Sequence, residues 1–493
     1  MPDNQDFYNL LGIPRNASAE EIRRAYREAA LRLHPDRNTR PGDTEIFLQV
    51  SKAYEILTDE QRRKEYDETL AEREEGLAAS SPFTCLVNQS RRSLLQLDEP
   101  QVHYLLLDIS PSQALPEIRP PINTCIAIDR STSMRGQRLD QVRAATLSIL
   151  KGLAPADSAS IVAFSDHAEV IVTPGQAKDM ATARARLSLL QAGGGTEIAQ
   201  GMESGLVELQ RSFSREGVNH LILLTDGRTY GDEERCLQIA DEAATFGITI
   251  NGVGIGADWS DRLLDDLASR TGGSVIFLDT PRSITDLLQH IMGGLTSVVA
   301  SRVRLEGSVS HQVDLRSAFR LLPEPMPLGD SLPIMLGNLQ KDGQIRLILE
   351  LVVHPIGQIQ DVTLMHCNIT GDLLGPSAEA VNLPLAIHCP VTGQPDTEPP
   401  PKDIVSALSL IALYRMQEKA RHEAELGQSS RAAKRLENLA TQLLAGGEKE
   451  LAKAALAEAE HLTHTRRLSQ EGEKILKYGT RALLLLPAKA EGS

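Results

Sequence analysis

The sequence predicts a multidomain protein of mixed class: an α-helical hairpin, an α/β doubly wound domain inserted in a β-sandwich, and an α-helical C-terminal region. Three observations predict it. Apolar residues recur at helical spacing through roughly the first seventy positions. Strand-like apolar runs alternate with helical stretches between 121 and 296, the pattern of a largely parallel sheet covered by helices. Strand-rich sequence lies on both sides of that segment, in 82–120 and 297–390, so one β-rich domain reads as contributed from both flanks.

A chain of 493 residues is long enough for several domains, each with its own core. Charged residues make up 24% and hydrophobic residues 41%, ordinary globular composition. The formal net charge of −15 argues against broad nucleic-acid binding, which needs basic surface to neutralise phosphate. The start, MPDNQDFYNLLG, lacks a basic stretch followed by an apolar run, so no signal peptide is expected. Apolar runs such as Leu483 to Leu486 are far too short to span a bilayer, so no membrane partner is expected. The five cysteines are scattered and form no C-x-x-C pair, which supports neither a zinc ribbon nor a disulfide framework. A cytoplasmic location is the simplest expectation.

In the first segment, 1–70, Ala17-Ser18 offers a helix cap, and Glu20 and Glu21 favour the helix dipole in the first turn. Ile22, Tyr26, Ala29, Ala30 and Leu33 form an inward face, while Arg23 and Arg27 lie together outside with Arg24 beside them. Pro35 ends this helix, because the residue before a proline is pushed from helical geometry. A second helix is expected from about Thr44 to Leu57, and Thr58-Asp59 caps a short third one. The order FYNLLGI, EIRRAYREAALRLHPDRN, FLQVSKAYEILTD, RRKEYDE resembles the J-domain of the DnaJ family over essentially the whole domain. The resemblance implies a loop, His34-Pro35-Asp36, that triggers ATP hydrolysis by a DnaK-type chaperone. It also implies a docking face of Arg23, Tyr26, Arg27 and Arg37. Exposed arginines suit such a face, since they form charge-assisted bonds and speed encounter with a negative partner. Glu28 departs from the family pattern, where a basic residue is common. The glycine/phenylalanine-rich and zinc-binding modules of larger DnaJ proteins are missing, so client choice falls to the rest of the chain.

The polar, small stretch 71–81 reads as a linker. In the α/β segment, 121–296, strands are expected at Asn123–Ile128, Ser160–Phe164, Ala168–Val172, Leu221–Leu224, Ile248–Val253 and Val275–Leu278. Helices are expected at Arg138–Leu153, around Ala183, and from Ile198, Glu233 and Asp261. Ligands of such Rossmann-like sheets bind at strand ends near the topological switch point. Three pieces fall there: Asp129-Arg130-Ser131-Thr132-Ser133, Gly193-Gly194-Gly195-Thr196 and Thr225-Asp226-Gly227. Their side chains offer hard oxygen, which suits magnesium. Neutral hydroxyl ligands would leave the ion under-neutralised and seeking a carboxylate from outside. IDRSTSM, GGGTEI and LLTDG, in this order, resemble the metal-ion-dependent adhesion site of von Willebrand factor type A domains. The resemblance implies Mg2+ (or Mn2+/Ca2+) held by Asp129, Ser131, Ser133, Thr196 and Asp226, completed by a protein partner's carboxylate. His167 reads as a surface residue in a turn, and Trp259 as a packing residue. No catalytic residues are assigned, because no acid–base pair stands near these loops.

Segment 391–402 is a proline-rich, semi-rigid linker, and 403–486 a helical domain of three to five helices broken at Gly427 and Gly446-Gly447. His461 and His464, with Glu460, read as a solvated helix face. Together these readings give a co-chaperone rather than an enzyme. It would stimulate the ATPase of a DnaK-type chaperone and hold a protein partner through the metal. The alternative is a metal-dependent scaffold for multiprotein assembly, for example with an AAA-type ATPase, whose J-domain is vestigial. A metallohydrolase is the third reading.

Overall fold

The computed structural model describes residues 7–11, 13, 15, 17–33, 43–112, 115, 118–229, 231–279, 284–356, 361–375, 379–396 and 398–485. The N-terminal helices are α1 (Phe7–Leu11), α2 (Ala19–Leu33), α3 (Asp43–Thr58) and α4 (Glu60–Ser80). Ser18 and Glu21 form the reciprocal cap of α2: Ser18 N donates to Glu21 Oε2 at 2.7 Å, and Glu21 N to Ser18 Oγ at 3.3 Å. Ile22, Ala29, Val50, Ala53 and Leu57 fill the seam between α2 and α3, and Tyr26 stacks on Tyr54 with ring centroids 4.2 Å apart. The stretch 71–81, expected as a linker, is instead the second half of α4, which runs to Ser80. Glu, Arg, Leu and Ala are good helix formers, and Gly76 alone does not break the run.

Two five-stranded sheets form the β-sandwich. One has the order β1 (Phe83–Gln89), β3 (Gln101–Pro111), β14 (Ile345–Val353), β11 (Val313–Leu322), β12 (Met326–Leu328). The other runs β13 (Ile334–Gln340), β10 (Val298–Val309), β15 (Asp361–Leu373), β16 (Ala380–Thr392), β2 (Leu94–Leu95). β3 pairs antiparallel with β14, Ile109 opposite Ile345, so strands from before and after the central domain share one core.

The inserted domain is a six-stranded sheet in the order β6 (Ala168–Val172), β5 (Ser158–Phe164), β4 (Ile122–Asp129), β7 (Val218–Thr225), β8 (Ile248–Ile255), β9 (Val275–Leu278). Only β5–β6 is antiparallel. β4 and β7 are buried along their whole length, as a sheet covered on both faces requires. The covering helices are α5 (Gln137–Gly152), α6 (Met180–Ser188), α7 (Ile198–Arg211), α8 (Glu233–Phe246), α9 (Asp261–Thr271) and α10 (Ile284–Leu295).

Where the insertion meets the sandwich, backbone lies on backbone. A Cβ on Gly272, just after α9, would stand 2.3 Å from Gly337 N on β13, and both glycines have positive φ, +72° and +95°. Arg320 of β11 is buried in the same seam and donates to the carbonyls of Gly272 (3.0 Å), Gly273 (2.5 Å), Leu336 (3.1 Å) and Glu324 (3.1 Å). A cavity of about 560 Å³ opens beside it, lined in part by His220, Asn251, Ser274 and Gln340.

Residues Val391 and Thr392, placed in the proline-rich linker, complete β16, and the irregular connection follows them. It leads to α11 (Lys402–Glu425), α12 (Ser429–Ala445), α13 (Lys449–Thr465) and α14 (Gln470–Ala482), which pack as successive antiparallel hairpins around Leu436, Leu439, Leu443 and Leu462.

Candidate functional site

β4 and β7 are neighbours at the point where the sheet order reverses, and each ends in an aspartate loop. The crevice beyond such strand ends is where doubly wound sheets bind ligands. Asp129, the last residue of β4, is buried; its Oδ1 accepts from Ser131 N at 2.8 Å and its Oδ2 from Thr225 Oγ1 at 2.7 Å. Ser131 Oγ and Ser133 Oγ stand 2.9 Å apart, and Ser133 Oγ donates to Asp226 Oδ1 at 2.6 Å. The Ser131, Ser133 and Asp226 side chains thus form one hydrogen-bonded chain, which Asp129 joins through the Ser131 backbone N–H. Thr196 lies beside it, because a Cβ on Gly227 would come within 2.9 Å of Thr196 Oγ1. The glycine loop is tied to the first loop through Gly194, whose carbonyl accepts from Thr132 N at 3.2 Å and Thr132 Oγ1 at 3.0 Å.

Burial pushes the Asp129 carboxyl up to about 6; hydrogen bonds from Ser131 and Thr225 oppose the rise, and the nearby Asp226 charge adds to it. Two buried carboxylates side by side call for a cation. Arg138, at the start of α5 and with its side chain 33% exposed, supplies one: its Nη1 meets Asp226 Oδ2 at 2.5 Å. Spacing in the sequence gave no sign of this arginine. The donor set is two carboxylates and three hydroxyls, the hard-oxygen chemistry that suits a magnesium-type ion. Among the described residues no group of three or more His, Cys, Asp or Glu has metal-binding geometry, so the fit rests on the hydroxyls.

His167 is exposed in the β5–β6 turn, with Nε2 3.3 Å from Arg130 Nη2. Trp259 is fully buried, and His461, His464 and Glu460 are exposed on α13. On α2, Arg23, Arg24 and Arg27 are exposed, while Tyr26 is half-buried by its stacking on Tyr54. His34, Pro35, Asp36 and Arg37 lie outside the described residues. The five cysteines are free thiols, four of them buried. No described helix is long and apolar enough to cross a membrane.

Family models match three parts of the chain: the DnaJ domain over 6–67, the von Willebrand factor type A domain over 123–290, and the Sll0103-like, C-terminal alpha-helical domain over 402–486. The uncharacterized protein sll0103 of Synechocystis sp. is 27% identical over 65% of this chain and 78% of its own length. The chaperone protein DnaJ of Dictyoglomus thermophilum is 46% identical over 68 residues, but the chain spans only 17% of that protein. Among solved structures, a von Willebrand factor type A protein from Catenulispora acidiphila superposes with a TM-score of 0.64 at 16% identity, covering 81% of this chain and 96% of its own. That likeness is one of fold. The chain carries a DnaJ domain, a von Willebrand factor type A domain and an Sll0103-like helical domain, in that order.

Proposed function

We propose that this protein is a J-domain co-chaperone that stimulates the ATPase of a DnaK-type chaperone and grips a protein partner through a divalent cation. The observation that carries the second half is the convergence of Asp129, Ser131, Ser133 and Asp226 in one hydrogen-bonded chain at the switch point, with Thr196 beside it. A bound Mg2+ would offer an open coordination position to a carboxylate of the partner. Around it the chain's own residues do the positioning: Thr225 orients Asp129, and Ser133 orients Asp226. The first half is supported by the DnaJ match over 6–67 and by the exposed Arg23 and Arg27 of α2. His34, Pro35, Asp36 and Arg37 take the trigger and docking roles. The protein acts on others' chemistry and is not itself an enzyme. A reducing cytoplasm suits its free thiols.

The test is single-turnover ATP hydrolysis by a DnaK-type chaperone, with the intact protein and with His34→Gln. Stimulation lost in the variant supports the co-chaperone. Equal rates with both, and no rise over chaperone alone, overturn it and leave a metal-dependent scaffold. Mg2+ titration of the intact protein and Asp129→Ala tests the other half separately.

A further inference from the structure

The C-terminal helices reach the loop that flanks the candidate metal site. Lys474 of α14 is 4% exposed. Its Nζ donates to the Trp259 carbonyl at 2.6 Å and stands 3.6 Å from the indole centroid. The indole Nε1 donates to the Gly256 carbonyl at 2.8 Å, closing residues 256–259 into a tight turn. The ring lies flat against the end of β8, where a Cβ on Gly254 would come within 1.9 Å of it.

The other side of this turn faces the site. Arg138, which holds Asp226, passes close to Gly256: a Cβ there would be 3.2 Å from Arg138 Nη2. Arg228, two residues after Asp226, donates Nε to the Asp258 carbonyl at 3.3 Å. Arg138 of α5 and Arg228 of the loop after β7 therefore rest on a turn that Lys474 holds from behind. The hold is fixed by ion pairs between α14 or α11 and α9. Arg481 grips Asp265 at 2.8 and 2.6 Å, Arg421 meets Asp261 at 2.7 Å, and Lys477 meets Asp265 at 2.8 Å.

We infer that Lys474 is a positioning residue for the metal site: by fixing the Trp259 turn it sets the surface on which Arg138 and Arg228 rest, and through them the orientation of Asp226. The inference rests on the metal-site reading above. It makes the C-terminal helical domain a working part of the metal-binding end. Groups that orient metal ligands from behind typically carry a large share of metal affinity.

The experiment titrates Mn2+ into the full-length protein, counting free ion by electron paramagnetic resonance, for wild type, Lys474→Met, Trp259→Phe and Arg435→Ala. Trp259→Phe keeps an apolar ring but loses the tie to Gly256, and it decides the matter if Lys474→Met does not fold. Arg435→Ala cuts the Arg435–Glu423 pair inside the helical domain, away from the turn. The expected result is an affinity about tenfold weaker in Lys474→Met and Trp259→Phe, and unchanged in Arg435→Ala. Wild-type affinity in the first two overturns the inference and leaves the metal site standing. An equal loss in Arg435→Ala overturns it as well, because general loosening would then be the cause. No Mn2+ binding by wild type defeats the metal-site reading and this inference with it.

Discussion

Replacing Arg320 with methionine should loosen the seam between the inserted domain and the sandwich. The guanidinium is buried and its donors are occupied: four backbone carbonyls and, at 3.0 Å, the sulfur of Met326. Hydrogen bonds from a charged donor are worth roughly 1.5–3 kcal/mol each, so four would sum to about 6–12 kcal/mol gross. Two effects reduce that. Removing the charge relieves the desolvation that burial imposes on it, the same effect that lowers the Arg320 pKa. The adjoining cavity of about 560 Å³ also lets water reach some of the freed carbonyls. A net loss of about 3 kcal/mol remains, equivalent to a fall of roughly 6–12 °C in the melting of a unit this size. Arg320→Lys should fall at least as far. A single ammonium keeps the buried charge but cannot reach acceptors spread across both domains. Differential scanning calorimetry of the intact protein and both variants is the assay. A melting transition within about 1 °C of wild type in either variant would refute the assignment of Arg320 as the seam's fork.

Three further outcomes are expected. His220 is buried, which lowers its pKa from 6.5 to about 4, so the unfolded chain takes up a proton in that window and the folded one does not. Its contribution is whole above pH 6.5 and is lost toward pH 4, by about 3 kcal/mol. His220→Asn should therefore flatten the pH dependence of urea unfolding there, although His103, lowered to about 4 in the same way, keeps a residual slope. Gly272→Ala should destabilise by more than about 1 kcal/mol in the same calorimetry, because the methyl meets the Gly337 backbone and φ is positive; no change would contradict the close approach. Saturating Mg2+ at 100 times its dissociation constant should add about 2.7 kcal/mol to wild type and nothing to Asp129→Ala; a thermal shift of equal size in both would place the ion elsewhere.

Features carried by local pattern were legible in the sequence. Alternating strand and helix signals gave β6 and β9 at their observed limits, and helix starts at Ile198, Glu233 and Asp261. The three loops could be brought to one place because each follows a strand or opens a helix, and the structure gathers them beyond the ends of β4 and β7. The stretch 71–81 looks like a linker because it is polar and small, yet its Glu, Arg, Leu and Ala carry α4 through to Ser80 despite Gly76. Arg138, Arg320 and Lys474 were illegible for a different reason. Each is an ordinary basic residue whose partner lies on another element, so its importance depends on tertiary placement that no local spacing encodes. Trp259 packs, as its place in the sequence suggests, but nothing in the sequence indicates that a lysine of α14 stands over it.

The insertion of one domain within another has a consequence for how this chain is made. β1 and β3 leave the ribosome early, yet β14, which pairs with β3 along its length, is synthesised only after the whole inserted domain. Until then the apolar edge of β3 is an open template for mispairing. The inserted domain can shorten that interval if it folds first. Ile122 at its entrance packs with Leu295 and Val298 at its exit, so its completion brings the two halves of the sandwich to one point. The sandwich is then assembled across a closed gap rather than a long loop. A variant that slows folding of the insertion should aggregate during synthesis even when its finished form is stable.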